Sequence, residues 1–394
     1  MLAAPALLFA CGQEPPPPPA PDLSERLFDI SFVHQVEIRV PDELVAQLVP
    51  GSDIRVPADF TFDGETLSQV GLRLKEGFGS QRDINQKAGF NVKLDAFVNG
   101  QELLGVDKFT LGNSVQDESF LGEMITYELF RRAGVPAPRT ALAEVTFNGT
   151  LFGLYVIRES IDKEFLRRNF DDPDGNLYEG SFQVDNTDVN GMELDTNEDA
   201  NDRSDLQAFA DAILGTPDAD FLATMEDRAD LDKFFAFWAV EQATYHWDGY
   251  TTVASFNCCS PNNYYVYNDL AQGKFVWLPH GADQALGLQR TDIGELQERV
   301  IRPPSDVAVF AARLFDQPGT EERLRQAVLD MLDTAWDVPS LLERADTVGN
   351  LVRETGLLGE REETNLELFE IEFATRRQFI EERPAIIRAE LGRE

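Results

Sequence analysis

The residue pattern predicts an α+β fold, with a strand-rich first half followed by a mainly helical second half. Three observations carry that reading. From about Leu27 to Ile157 apolar and polar residues mostly alternate. From Asp162 onward apolar residues return at intervals of three and four, and a single hairpin-like pair interrupts this helical half.

The elements follow in chain order. Residues 2–10 form a short apolar run ending at Leu8-Phe9-Ala10-Cys11, too short to span a bilayer but suited to the core of a secretory signal. The tetrapeptide resembles a bacterial lipobox, so Cys11 is the expected lipidation site, although Phe9 is bulky and no basic segment precedes the run. Residues 1–11 are therefore read as signal and 12–26, with Pro15–Pro19, as a polyproline-type tether. Within 27–160, Val36–Val40, Val70–Lys75 and Phe90–Asp95 alternate as half-buried strands. One helix interrupts them, capped by Asp117, carrying Phe120, Leu121, Met124, Ile125 and Leu129, and stopped by Gly134 and Pro136. Strands resume at Leu142–Phe147 and, after an Asn148-Gly149 turn, at Phe152–Arg158. Within 161–394, helices are expected at Lys163–Asn169, Asp205–Leu214, Asp230–His246 and from Pro304 onward, with the hairpin at Asn263–Asn268 and Gly273–Pro279.

Composition narrows the function. The 394 residues are 43% hydrophobic and 10% aromatic, enough for real cores. The net charge of −36 opposes bulk binding to nucleic acid or to an anionic membrane face. A polyanionic ligand would need a local basic pocket and divalent cations, in a chain with only seven lysines. Three cysteines (Cys11, Cys258 and Cys259) and three histidines exclude a spaced zinc quartet. Cys258 and Cys259 are either a strained vicinal disulfide or two packed thiols. Asp195–Asn201 is acidic but has Ala200 and Leu206 where a calcium loop needs Gly and Glu, so a solvated loop is expected. No Gly-x-Ser-x-Gly elbow or metal-binding His pair suggests a hydrolase.

Several segments, in order, resemble the CotH (spore-coat protein H) family of secreted atypical protein kinases. They are Arg73–Ser80, Lys87–Asp95, Gly153–Leu166, Gly175–Tyr178, Asn262–Tyr267, Gly273–Pro279 with Asp283 and Gly287, and Arg377–Arg383. Together they span about Val70 to Ile387. The resemblance implies a two-lobed kinase-like fold, with a β-rich N-terminal lobe at 27–160 and a helical C-terminal lobe at 161–394. It also implies binding of ATP with Mg²⁺ or Mn²⁺ and transfer of the γ-phosphate to hydroxyl side chains of secreted or envelope proteins. The membrane would be met through the lipid anchor only, and nucleic acid not at all.

The residue types fit that chemistry. Gly77 and Gly79 flank Phe78 in a turn whose amides could approach phosphates, though such turns are common in hairpins. Lys75, Lys87 and Lys93 are each candidates for the phosphate-binding lysine, an exposed strand lysine being the ordinary alternative. Asp248 follows an apolar helix, as a hydroxyl-orienting base should, or is simply a turn aspartate. Asn263 and Asp283 offer hard oxygens to a metal. Arg158 and Glu159, with Asp162, stand where a lobe connector would receive adenine, with Glu159 free to pair a lysine. One departure matters. The family usually has Pro-Trp-Asp-x-Asp, whereas this chain reads Pro279-His280-Gly281-Ala282-Asp283. Loss of the first carboxylate leaves a second reading open: an inactive surface or scaffold module, for which Tyr264-Tyr265-Val266-Tyr267 would serve as an aromatic platform.

Overall fold

A computed structural model describes residues 22–252, 261–287, 300–357 and 359–392. Cys11, Cys258 and Cys259 lie outside the described residues.

The alternating segments close into a seven-stranded barrel. Its strands are β1 (His34–Arg39), β2 (Val56–Phe62), β3 (Glu65–Leu74), β4 (Phe90–Lys93), β5 (Lys108–Gly112), β6 (Thr140–Phe147) and β7 (Thr150–Glu159). They run in the order β1-β2-β3-β4-β5-β7-β6, and a parallel β1–β6 pair closes the circle. Inward residues such as Ile38, Phe60, Leu72, Phe90, Phe109, Leu111 and Tyr155 fill the interior, as side chains fill any small barrel. The Asn148-Gly149 turn joins β6 to β7 with both residues at positive φ (46° and 80°), the geometry that matches strand twist.

After the one-turn helix α1 (Asp42–Val45) between β1 and β2, helix α2 (Gly122–Arg132) lies between β5 and β6 in sequence and is stopped by Gly134 at φ 81°. Asp117 caps it from a distance. Its carboxylate accepts from Ser119 N–H (3.1 Å) and Gly122 N–H (2.7 Å), because Phe120 at φ 60° folds the chain back between them. Met124, Ile125, Leu129 and Phe130 share one core with Leu142, Leu154 and Val156 on the outer face of β6 and β7. Buried on both faces, β7 reads as a nearly continuous apolar run.

The second half holds a sheet larger than the expected hairpin. Strands β10 (Tyr264–Asp269) and β11 (Lys274–Pro279) are joined by β8 (Leu177–Gly180) and β9 (Glu193–Leu194) in the order β11-β10-β8-β9. Strands this short leave too few residues to show a period. One face packs Tyr264, Val266 and Trp277 against α6 (Leu231–Thr244); the other packs Tyr265, Tyr267 and Leu278 against α3 (Lys163–Asn169). The aromatic run is therefore core, and the expected exposed tyrosine platform does not exist. Asp230 caps α6, which is buried almost all round and ends at Tyr245 in the left-handed region (φ 58°). Helices α4 (Ser204–Gly215), α5 (Asp218–Glu226), α7 (Val309–Phe315), α8 (Thr320–Thr334), α9 (Val338–Thr355) and α10 (Leu366–Glu390) complete the helical half among the described residues. Among the described residues no helix is long and apolar enough to cross a membrane.

Candidate active site

The ends of β3, β7, α2, α6 and β11 bring charged side chains together where barrel and helices meet. Arg158, the penultimate residue of β7, is buried and donates to Glu123 at 2.5 Å. Glu123 sits in the first turn of α2 and also accepts from Tyr127 O–H at 3.2 Å. Burial alone would raise the Glu123 carboxyl, but Arg158 and Lys75 outweigh it and hold it below the usual range. Lys75, one residue past β3, is anchored by its N–H to the Gly89 carbonyl (2.8 Å). Burial and then the neighbouring Arg158 push its ammonium down, against the pull of Asp283 and Glu123.

Asp283 lies in the short 3-10 turn Ala282–Gln284 after β11. Burial pushes its carboxyl up to about 6, with Lys75 opposing and Glu123, Asp248 and Asp117 adding to the rise. Two features hold its backbone. Gly122 abuts the Asp283 carbonyl so closely that a β-carbon there would stand 2.1 Å from the oxygen. Buried Arg376 of α10 donates to the same carbonyl at 3.0 Å and lies 3.3 Å from the Asp117 carboxylate.

Asp248 sits in the turn after α6, and buried Glu241 organises that turn. The Glu241 carboxylate accepts from Tyr250 N–H (2.9 Å), Thr251 N–H (2.8 Å) and the Thr251 hydroxyl (2.5 Å). Gly249 is needed for this wrap, since its β-carbon would meet Glu241 Oε1 at 2.1 Å. His246 lies between: Nδ1 is 3.5 Å from Glu241, while Nε2 is 3.1 Å from the Gly281 carbonyl and 3.6 Å from Asp248. Burial would lower His246, yet Glu241 and Asp248 raise it to about 8. The Asp248 carboxyl is raised by burial, with His246 opposing, and its Oδ1 is buried without a hydrogen-bond partner. Asn263, at φ 53°, donates to the Asp248 backbone carbonyl at 3.3 Å. His280 packs edge-on to Tyr265 and is held neutral by burial and by the charges of Arg158 and Lys75.

Other sequence candidates fall elsewhere. Lys87 is buried in an ion pair with Glu362, and Lys93 is a partly exposed strand lysine 3.7 Å from Asp95. Glu159 takes Arg139 and Arg168 rather than a lysine. Asp162 caps α3 through Glu164 and Phe165 N–H groups. Gly77 and Gly79 adopt φ 149° and 82° around a fully exposed Phe78, as a turn open to a ligand requires.

Compared with known proteins, residues 76–387 match the profile described as "CotH kinase protein". The chain belongs to the CotH family. It is 20% identical over 359 residues to the inner spore coat protein H of Bacillus subtilis (strain 168), covering 86% of this chain and 91% of that one. Among solved structures it is similar to the Helicobacter pylori proinflammatory kinase CtkA, at 10% identity with a TM-score of 0.36, over 86% of this chain and 91% of the other.

In this CotH chain the departure at Gly281 has a structural counterpart. Gly281 is left-handed (φ 53°), and a β-carbon would stand 2.3 Å from Asn263 Oδ1. The Asn263 amide fills the space that a carboxylate at position 281 would need.

Reading the sequence alone misses Glu123, Glu241 and Arg376, and gives Asp117 only as a helix cap. A signal existed for the first two, namely a carboxylate inside an otherwise apolar helix face: Glu123 lines up with Tyr127 and Phe130, and Glu241 with Phe237 and Trp238. For Arg376 the partner is backbone 93 residues away, and no local pattern encodes it.

Proposed function

We propose that this CotH chain is an exported protein kinase of atypical type that transfers the γ-phosphate of ATP to hydroxyl side chains of secreted or envelope proteins. The observation that supports it is the convergence of Lys75, Glu123 and Arg158 with Asp283, Asp248 and Asn263, drawn from opposite halves of the chain. Those halves, barrel and helical, would be the two lobes of a kinase-like fold.

The donor set suits Mg²⁺ or Mn²⁺. Asp283 and Asn263 offer hard oxygens, and Asp248 Oδ1 is a buried oxygen awaiting a partner. Among the described residues no group of three or more carboxylate, His or Cys side chains is placed to hold a metal alone. That fits an ion shared between one or two protein carboxylates and phosphate oxygens. When bound, the metal nucleotide supplies the phosphoryl group and neutralises the developing charge.

The protein's own groups would do the rest. Lys75, in the field of Asp283 and Glu123, would bind phosphate oxygens, the part a strand lysine plays in protein kinases. The Gly77–Gly79 turn would present amides, and backbone near Glu159 would receive adenine. Asp248, raised by burial, would orient the acceptor hydroxyl and take its proton, with His246 below it on Glu241. Export and attachment through Cys11 complete the proposal, and a relative named as an inner spore coat protein supports a place outside the cytoplasm.

A second reading, a nucleotide-binding module without transferase activity, is favoured by Gly281 and the side chain packed over it. Titration of ATP with Mg²⁺ or Mn²⁺ into the full chain separates the cases. Binding that D283N abolishes supports the site, and phosphorylation lost in D248N supports the kinase. Binding without transfer leaves the second reading; absence of binding by folded protein overturns both.

A further inference from the structure

Between α9 and α10 the chain runs back across the barrel. Glu360 N–H donates to the Leu151 carbonyl (2.6 Å), and the Glu362 carboxylate accepts from Leu154 N–H (3.1 Å) while pairing with buried Lys87. Two glycines allow this crossing. A β-carbon on Gly359 would stand 2.3 Å from the Gly153 backbone, and one on Gly153, at φ 120°, would stand 2.3 Å from Glu362 Oε2. Glu363 then receives Arg82 Nε at 2.8 and 3.0 Å. Arg82 in turn donates to the carbonyls of Gly79 and Gln81, both at 2.9 Å. On the far side of the loop Asn113 donates to the Ser80 and Lys87 carbonyls, each at 2.8 Å.

We propose that Gly359–Glu363 is a strap that sets the position of the glycine turn, with Glu363 and Arg82 as positioning residues for the nucleotide phosphates. This rests on the reading of Gly77–Gly79 as the phosphate-binding turn. The strap has a second hold on the site, because α10, which follows it, carries Arg376 to the Asp283 carbonyl. One C-terminal stretch thus ties down both the phosphate turn and the Asp283 turn, which come from parts of the chain about two hundred residues apart.

A turn with two glycines, closed by a backbone bond from Gln81 N–H to the Gly77 carbonyl (3.0 Å), is otherwise costly to order. Each phosphate-facing amide must stand within hydrogen-bond reach of its oxygen, and a turn that samples many positions loses affinity in proportion to the fraction misplaced. Lys87–Glu362 is the buried part of the strap, and breaking it risks the fold. Arg82–Glu363 is partly exposed and is the part to perturb.

The test uses the full chain with R82Q, E363Q and the double variant, and E370Q as control, since Glu370 makes a comparable ion pair with Arg353 away from the turn. Two readouts are taken: affinity for Mg²⁺–ATP by calorimetry, and hydrogen exchange of amides 76–82 without nucleotide. Each single variant is expected to weaken ATP about threefold and to speed exchange at 76–82, the double variant adding nothing further, while E370Q leaves both unchanged. Wild-type affinity and exchange in R82Q and E363Q overturn the strap. If wild-type protein binds no nucleotide the kinase reading falls, and exchange at 76–82 alone still decides whether the strap orders the turn.

Discussion

Gly122 is the position where the packing argument can be tested most directly. Replacing it with Ala puts a β-carbon 2.1 Å from the Asp283 carbonyl oxygen and 2.7 Å from Arg376 Nη1. Ordinary contact needs about 3.5 Å, so the Asp283 turn must retreat by about 1.4 Å. The Arg376 guanidinium is the end of a flexible side chain, but the Asp283 carbonyl is backbone and yields only if the turn moves. Alanine favours the helix over glycine by about 1 kcal/mol, while overpacking of this kind costs about 1–3 kcal/mol, so a net loss of up to about 2 kcal/mol is expected. In the proposed kinase the functional effect exceeds the effect on stability. A shift of about 1 Å in a group that positions a reacting phosphate costs about a hundredfold in turnover. Thermal unfolding and Mg²⁺–ATP titration of G122A are the assays, with G215A as control because nothing lies within 4 Å of its β-carbon. G122A melting and binding nucleotide as the wild type does would refute the claim that Gly122 places Asp283.

Three further outcomes follow from the same geometry. Asp283 has a folded pKa of about 6 against 3.8 for a free aspartate, so between those values the folded chain holds more protons than the unfolded one. Its contribution to stability therefore declines as pH rises from about 4 to about 6 and is level above that, and D283N should gain about 1–3 kcal/mol at pH 7.5 but little at pH 4, read by urea denaturation at both. E123Q leaves buried Arg158 and Lys75 without their carboxylate and should lose about 3 kcal/mol in the same denaturation assay. G281D should lower the melting temperature because its side chain overlaps Asn263, and G281D with N263G should recover it, since N263G makes room and relieves a positive φ.

Much of the architecture was legible because it depends on neighbours in sequence. Alternation marked β1, β3 and β4; the Asn148-Gly149 turn marked the β6–β7 hairpin; and α3 begins and ends at the expected residues. Asp248, Asn263 and Asp283 stand out by the family resemblance together with their place after a helix and around a hairpin, and the structure sets all three around His246, Gly281 and one another. Composition likewise bears on partners, because a net charge of −36 acts through the summed field whatever the fold.

Tertiary structure decided which charged groups meet. Lys75, Lys87 and Lys93 look alike in sequence, each on or beside a strand. Only packing sets Lys75 in the field of Asp283, ties Lys87 to Glu362 and leaves Lys93 on the surface. Whether Tyr264–Tyr267 is a platform or core depended on β8, a strand too short to announce itself. Glu362 and Glu363 reach Lys87 and Arg82, and Arg376 reaches the Asp283 turn, by contacts spanning 93 to 281 residues, and such pairings are set by chain topology and close packing, which no local period records.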